Sequence, residues 1–245
     1  MKWKIIIVTH GPIFDEFYDI DSTFNYDNYT IFNVSNFVIK HDRFNIINKC
    51  EFKEFIHLGK QWAESEVVYN FFKNTELLGG LDFIGFIHYD YELFDGFTKK
   101  LNNTIEKDKR FISFSTFNFN QDFNQNIMLD EQYPNTLAGT GKNCFFRILE
   151  DYNNFFKTNV RLDDLMSKRI NLCSAFITTI NEFIDIGKFI SNAIESKYLD
   201  QFDIANNHRI QGGMMERYIG LYSTQISFNE IEVFHNYRYY KKWKI

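Results

Sequence analysis

The sequence has 245 residues, of which 44% are hydrophobic and 24% charged, with 29 Phe, 14 Tyr and only 2 Pro. This length suffices for one large or two small domains, and the composition is typical of a soluble globular protein that buries its core without disulfides or a structural metal. The formal net charge of −5 argues against a protein that coats nucleic acid by releasing counterions.

The cysteines and the N-terminal segment indicate the compartment. Cys50, Cys144 and Cys173 are odd in number and outside any C-x-x-C spacing, which predicts ordinary thiols in a reducing environment. The start, MKWKIIIVTHGP, has five consecutive apolar or neutral residues after its lysines. That run is too short for a signal peptide or a membrane span. We therefore expect a cytoplasmic protein without a transmembrane segment.

Strand patterns and helix patterns alternate along the chain. The predicted strands cover residues 5–8, 29–34, 83–88, 111–119, 172–179 and 231–234, and the predicted helices cover residues 61–74, 180–194 and 209–222. Residues 118–140 are rich in Asn, Gln and Asp and predict a long mobile loop. Because strands alternate with helices, the sequence predicts one α/β domain with a mostly parallel central sheet flanked by helices.

The apolar strand predicted over residues 83–88 ends in the acidic segment YDYE, residues 89–92. In open α/β sheets, ligands bind at the carboxyl ends of the strands. Residues two apart in an extended segment point to the same side, so His88, Asp90 and Glu92 could converge. Carboxylate oxygens suit Mg²⁺ or Mn²⁺. The alternative is a solvated turn in which the two tyrosines are half-buried, and the spacing by itself does not separate the two interpretations.

Several segments resemble one enzyme family. ESEVVYNFFKN (Glu64 to Asn74) followed by LDFIGFIHYDYELF (Leu81 to Phe94) resembles the E-x-T-x-x-Y-x-x-x-K-N and I-G-x-x-H-Y-x-x-x-F patterns of a bacterial family of capsule and lipopolysaccharide glycosyltransferases. NLCSAFITTINEFID (Asn171 to Asp185) resembles its later strand-helix unit, and RIQGGMMERYIGLY (Arg209 to Tyr222) resembles its R-x-x-G-x-x-x-E-R helix. Viral glycosyltransferases of the GT-A fold are broadly similar. The likeness spans most of residues 1–225.

The resemblance implies a single GT-A (Rossmann-like) domain over residues 1–245, with a nucleotide-sugar-binding half at 1–117 and an acceptor half with a basic tail at 118–245. It implies metal-dependent transfer of a sugar from a nucleotide-diphosphate donor to a glycan or lipid-linked hydroxyl acceptor, as in polysaccharide biosynthesis, with Mn²⁺ or Mg²⁺ as cofactor. The bacterial family usually has basic residues after H-Y, whereas the D-x-E of this chain resembles the D-x-D metal site of the broader fold. Two alternatives stay open: a non-catalytic sugar- or nucleotide-binding protein, and a metal-dependent hydrolase that uses His88, Asp90 and Glu92.

A third metal ligand is expected from the last predicted strand. Many GT-A enzymes supply a histidine from a late strand end, and His235 follows such a strand here, although a surface histidine is the simpler alternative. The tail at 236–245 interleaves four basic residues with four aromatic ones. It could fold over a diphosphate or contact an anionic membrane surface, whereas a solvated tail is the plain alternative.

Donor-binding residues are expected at three places. Residues 9–11 follow the first strand, where the GT-A fold holds the base and ribose, although this turn could be purely structural. Lys60 follows a glycine at a helix N-terminus, where backbone N–H groups and positive charge bind phosphate. The resemblance adds residues from its own motifs. The expected donor-binding residues are Thr9, His10, Gly11, Lys60, Glu64, Tyr89 and Arg209.

The candidate catalytic residue is Glu216. Gly212, Glu216 and Gly220 are spaced by four and share one helical face, so the glycines leave room for a ligand or a close-packed backbone. A general base for an acceptor hydroxyl needs such access. The alternative is a salt bridge between Glu216 and a nearby lysine or arginine.

Overall fold

The computed structural model describes residues 1–11, 13, 24–52, 54–59, 62, 64–107, 110–122, 144–196, 210–231 and 233–235. Lys60 and Arg209, which were predicted to bind the donor, lie outside these residues, as does the basic tail at 236–245. The predicted mobile loop lies outside them from residue 123 onward. Its first part is ordered differently from the prediction, because residues 118–122 form the end of a strand and a short helix.

Strands alternate with helices along most of the chain. The strands are β1 (Trp3–Thr9), β2 (Tyr29–Asn33), β3 (Asn45–Asn48), β4 (Phe83–His88), β5 (Tyr91–Glu92), β6 (Phe111–Ser113), β7 (Thr116–Asn118), β8 (Arg169–Asn171), β9 (Phe176–Thr179), β10 (Phe228–Glu230) and β11 (Phe234–His235). The helices are α1 (Ser65–Lys73), α2 (Phe97–Ile105), α3 (Phe119–Asp122), α4 (Cys144–Phe156), α5 (Leu162–Leu165), α6 (Ile180–Glu195) and α7 (Ile210–Ser223).

Within the described residues, a seven-stranded sheet has the order β10-β6-β9-β4-β1-β2-β3. Strand β9 is antiparallel to both of its neighbours, and every other pair in this sheet is parallel. Two short antiparallel ribbons, β5 with β11 and β7 with β8, lie beside it. The predicted mostly parallel α/β sheet is therefore confirmed.

Apolar side chains from both faces of the sheet form the core. Successive residues of β1 alternate between two clusters, with Ile6 and Val8 in one and Ile5 and Ile7 in the other. Helices α1, α4, α6 and α7 contribute to the first cluster, and α2 contributes to the second. The sheet is thus covered by helices on both faces. In the part of the chain that the structure describes, every helix is too short or too polar to cross a membrane.

Three strand predictions were wrong in extent. The strand predicted over 111–119 divides into β6 and β7, the one predicted over 172–179 begins only at Phe176, and the one predicted over 231–234 is replaced by β10 and β11. The second difference has a local cause. Cys173 and Ser174 have φ angles of 64° and 47°, so a left-handed turn interrupts the extended backbone before β9.

The three predicted helices are all present, although not every predicted first and last residue is correct. Helix α1 begins at Ser65 rather than at residue 61, while α6 and α7 match their predicted ranges within about one residue. The hydroxyl of Thr179 accepts a hydrogen bond from the Glu182 backbone and so caps the start of α6. Helices α2 and α4 were not predicted, although α2 buries Phe97 and Leu101 at helical spacing.

Candidate functional site

The carboxyl ends of β1 and β4 meet at one edge of the sheet. These strands are parallel neighbours with Val8 opposite His88, and the backbone N–H of Tyr89 donates to the Val8 carbonyl at 3.0 Å. Just beyond this pair, the Tyr89 hydroxyl lies 3.1 Å from His10 Nε2, with the two ring centroids 4.7 Å apart. The structure therefore brings two of the predicted donor-binding residues into contact.

The turn after β1 is closed by its own threonine. Thr9 is fully buried, and its hydroxyl donates to the Gly11 carbonyl at 2.8 Å and accepts from the Gly11 backbone N–H at 3.1 Å. Thr9 therefore has a structural role, which was the alternative considered for this turn in the sequence analysis. His10, in contrast, is exposed, so it is the side chain of this turn that a ligand at the sheet edge would meet.

The two acidic residues after β4 occupy different environments. Asp90 is only 7% exposed and lies in the turn after β4, whereas Glu92 is half-buried in β5. Strand β11 pairs with β5 so that His235 is opposite Tyr91 and Phe234 is opposite Glu92. The backbone of His235 thus lies next to the segment that carries both carboxylates, while its side chain is outside what the structure describes.

The described side chains do not by themselves form a closed metal site. Among them, no group of three His, Cys, Asp or Glu residues could hold a metal ion. His88 does not join Asp90 and Glu92 in such a group; its ring lies 5.9 Å from the ring of Tyr91, and its buried Nε2 has no hydrogen-bond partner in the described residues. The convergence of all three, which the hydrolase alternative requires, is therefore not found. Two carboxylates fit a cation that completes its shell with water and ligand oxygens.

Helix α7 is buried except at the candidate base. Of residues 211–223, whose burial the structure describes, only Glu216 is not buried, and its side chain is 24% exposed. Arg217 is 3% exposed and pairs with Glu216 at 2.9 Å, while its Nη1 also donates to the Gly213 carbonyl at 3.0 Å. The salt bridge that was considered as the alternative role of Glu216 is therefore present, with Arg217 as the partner.

Gly220 allows α7 to approach the sheet closely. A Cβ atom at this position would lie 2.4 Å from the carbonyl oxygen of Asn171 and 2.8 Å from the Ile170 side chain. The glycines on this face were expected to leave room for a ligand or for a close-packed backbone. Gly220 leaves room for the backbone of β8. The contact holds α7 against β8, which sets the position of Glu216.

The carboxylates of Asp90 and Glu216 both act electrostatically on one buried phenol. Tyr91 is fully buried. Burial raises the pKa of its hydroxyl above the ordinary value, the neighbouring Cys173 raises it further, and the negative charges of Asp90 and Glu216 add to this effect. Charges at the end of β4 and on α7, which are far apart in the sequence, therefore both act on the Tyr91 hydroxyl.

Sequence reasoning missed Asn171, which organises the loops behind this site. Its side-chain amide donates to the Ser113 hydroxyl at 2.6 Å, to the Ala175 carbonyl at 2.8 Å and to the Ser115 carbonyl at 3.3 Å. These bonds hold the loop after β6 and the turn before β9 together. The available signal was its place in the N-L-C-S segment, where a polar residue precedes an apolar strand.

Sequence reasoning also selected Glu64 where the neighbouring Glu66 has the larger structural role. Glu66 is buried on α1 and accepts hydrogen bonds from the backbone N–H groups of Leu58 and Gly59 and from Lys49 Nζ at 2.8 Å. Glu64 is half-buried at the start of the helix. Glu66 thus fixes the segment that leads into α1.

A separate cleft of about 530 Å³ lies at the opposite end of β4, because Phe83, the first residue of that strand, is part of its lining. The other lining residues are Met1, Leu81, Asp82, Ile105, Glu106, Thr179, Ile180 and Asn181. None of the predicted site residues takes part in it.

Comparison with known proteins identifies solved structures with a similar fold. No protein-family model matches the chain, and neither does any curated protein. The apo structure of the bifunctional glycosyltransferase WbbM is similar with a TM-score of 0.60 and 13% identity over 95% of this chain and 45% of that one. This chain thus spans less than half the length of WbbM. Two structures of the mannosyltransferase Ktr4p from S. cerevisiae, the second in complex with GDP, have TM-scores of 0.37 and 0.41 at 12% identity, covering 94% of this chain and 69% of theirs. The likeness to WbbM shows that the chain has a glycosyltransferase fold.

Proposed function

We propose that this chain is a glycosyltransferase that moves a sugar from a nucleotide-diphosphate donor to a hydroxyl group of a glycan or lipid-linked acceptor. The observation that carries the proposal is the edge of the sheet where β1 and β4 end, because it holds the exposed His10 against Tyr89, directly before the candidate metal ligand Asp90. The fold that the chain shares with WbbM supports the same conclusion.

The donor would bind at the ends of β1 and β4. There the exposed His10 ring is held against Tyr89, so it can contact the nucleoside part of the donor from a fixed position. Asp90 and Glu92 place negative charge at this edge. A diphosphate therefore needs a compensating cation, and we assign this need to Mn²⁺ or Mg²⁺.

Asp90 and Glu92 are the residues that would hold the cation, with His235 as a further candidate ligand. Two carboxylates leave most of the coordination shell to water and phosphate oxygens, which is how Mg²⁺ is commonly held beside a substrate phosphate. When bound, the cation offsets the negative charge that grows on the leaving diphosphate. We also propose that the transfer serves polysaccharide biosynthesis, as the sequence resemblance implies.

Glu216 would act as the general base. Its carboxylate takes the proton of the acceptor hydroxyl as the acceptor oxygen forms a bond to the anomeric carbon of the donor. The bond from that carbon to the phosphate oxygen breaks, and its electron pair leaves with the nucleoside diphosphate. Partial exposure of Glu216 gives the acceptor access, and the ion pair with Arg217 orients the carboxylate.

The test is to incubate the protein with a panel of nucleotide sugars and Mn²⁺, with and without simple sugar acceptors, and to separate the products. A transferase gives nucleoside diphosphate and a new glycoside. A hydrolase gives free sugar without regard to acceptor, and a non-catalytic binding protein gives a thermal shift with a nucleotide sugar but no product. Either of the last two results would overturn the proposal.

A further inference from the structure

We propose that the turn before β9 binds a hydroxyl group of the transferred sugar through the buried side-chain oxygens of Asn171 and Ser174. The inference rests on the proposed function and deepens it, because it assigns a place to the sugar part of the donor. Three properties of the turn carry it: buried polar atoms without a partner among the described residues, a strained backbone, and a position between β4 and α7.

The polar atoms of this turn are buried with incomplete hydrogen bonding. Asn171 is fully buried, and its amide nitrogen donates to three oxygen atoms, whereas its Oδ1 has no hydrogen-bond partner among the described residues. Ser174 is 2% exposed, and its Oγ also has no partner in the part of the chain that the structure describes. A buried polar atom without a partner destabilises a fold. A ligand that supplies the partner accounts for two such oxygens in one turn.

The backbone of the same turn adopts a conformation that L-residues rarely adopt. Cys173 and Ser174 are non-glycine residues with φ angles of 64° and 47° in succession. Residues strained in this way persist where the surroundings hold them, and they cluster at ligand-binding sites. The Asn171 amide holds this turn by donating to the carbonyls of Ala175 and Ser115. Relief of the strain lowers the cost of the small displacement that admits a hydroxyl group to the buried oxygens.

The turn lies between the two elements that carry the proposed chemistry. Strand β9 begins opposite Phe86 of β4, so the turn before β9 is beside the end of β4 that leads to Asp90. On its other side, α7 packs so closely that a Cβ atom at Gly220 would lie 2.4 Å from the Asn171 carbonyl oxygen. Glu216 is one helical turn before Gly220 on the same face. In the proposed reaction the sugar lies between the diphosphate and the base, so this turn borders the space that the sugar would occupy.

The two oxygens match a hydroxyl group better than a phosphate group. The carboxamide oxygen of Asn171 only accepts hydrogen bonds, whereas the Ser174 hydroxyl donates and accepts. A sugar hydroxyl can donate to the first oxygen and accept from the second. An ionised phosphate oxygen has no proton to donate, so the Asn171 oxygen repels it. The turn therefore fits the sugar and leaves the diphosphate to the cation.

The test measures, by isothermal titration with Mn²⁺ present, the affinity for UDP- and GDP-linked hexoses and for UDP and GDP themselves. In Ser174→Ala we expect binding of the nucleotide sugar to weaken about two- to tenfold, the effect of one neutral hydrogen bond, with unchanged binding of the nucleoside diphosphate. The matched control is Ser191→Ala on α6, because Ser191 is 7% exposed and its hydroxyl also has no partner among the described residues. Neither substitution should lower the melting temperature, since each removes a buried hydroxyl of this kind.

A second measurement separates a direct contact from a structural effect. Deoxy analogues of the donor, each without one sugar hydroxyl, are titrated against the wild type and Ser174→Ala. For one analogue the two proteins should have equal affinity, because the group that Ser174 contacts is then missing from the ligand. Where Ser174→Ala folds poorly, Ser174→Gly replaces it, since glycine adopts the left-handed conformation without strain.

Three results would overturn the inference: equal affinity of the wild type and Ser174→Ala for the complete donor, an equal loss in Ser191→Ala, or a difference that persists with every deoxy analogue. The proposed function is tested by the same titrations. If the wild type binds none of the four probes, the proposed function fails and the inference falls with it. If the wild type binds them and Ser174→Ala binds them equally well, only the inference fails.

Discussion

The Tyr89 hydroxyl lies 3.1 Å from His10 Nε2, so side chains as well as backbone hydrogen bonds join the ends of β4 and β1. His10 is exposed, whereas Tyr89 is buried beneath it. The buried residue therefore orients the exposed one. This relationship allows a direct test of whether the edge of the sheet binds the donor.

Tyr89→Phe removes the hydroxyl and keeps the ring. Because a single neutral hydrogen bond contributes about 0.5–1.5 kcal/mol, we expect donor binding to weaken roughly two- to tenfold as His10 loses its fixed orientation. Isothermal titration with a nucleotide sugar measures this change. The control is Tyr69→Phe on α1, whose hydroxyl interacts with Lys73. Equal affinity in Tyr89→Phe and the wild type would exclude a donor contact through His10.

Asp90→Asn keeps the size of the side chain and removes its charge. We expect the variant to fold and to lose the Mn²⁺-dependent part of its thermal stabilisation by a nucleoside diphosphate, because an amide is a poorer ligand for a hard cation. The matched control is Asp95→Asn, an exposed residue in the following turn, which should behave as the wild type. Mn²⁺-dependent stabilisation that persists in Asp90→Asn would show that the cation binds elsewhere.

Glu216→Gln keeps the shape of the side chain but cannot accept a proton. Loss of a general base typically lowers the rate about 100- to 10,000-fold, so transfer should collapse while donor affinity is retained. Glu106→Gln, at an exposed position in the cleft at the other end of β4, serves as control. A loss of less than about tenfold, below that general-base range, would mean that the base lies elsewhere. Joint loss of folding and binding would identify the Arg217 ion pair as the main role of Glu216.

Gly220→Ala tests the contact that positions α7. The added Cβ would meet the Asn171 carbonyl oxygen at 2.4 Å, so the helix must shift away from β8. Overpacking of this kind typically costs about 1–3 kcal/mol, and we expect a lower melting temperature together with a lower transfer rate. Gly79→Ala is the control, because the nearest atom to its added Cβ is 3.3 Å away. Unchanged stability in Gly220→Ala would show that α7 can move without cost.

Features that depend on neighbouring residues could be read from the sequence. The apolar run over 83–88 predicted β4 with its observed bounds, and the alternation of strands and helices predicted the α/β class. The end of a strand is visible in the sequence as the point where an apolar run gives way to polar residues. Hence His10, Tyr89 and Asp90 could be selected as candidates from local pattern, because burial periodicity is a property of each segment by itself.

The tertiary structure decided which of these candidates come together. Strand register brings Tyr89 to His10 and the backbone of His235 to Tyr91, and helix packing places Glu216 where its charge acts on Tyr91. The left-handed turn at 173–174 and the amide of Asn171 are likewise products of the assembled sheet, since the bonds of this amide join β8 to β6 and to Ala175, the residue before β9. Local pattern determines whether a residue is buried and on which face. The distances between residues far apart in the chain depend on how strands align and how helices pack, and these depend on the whole core at once.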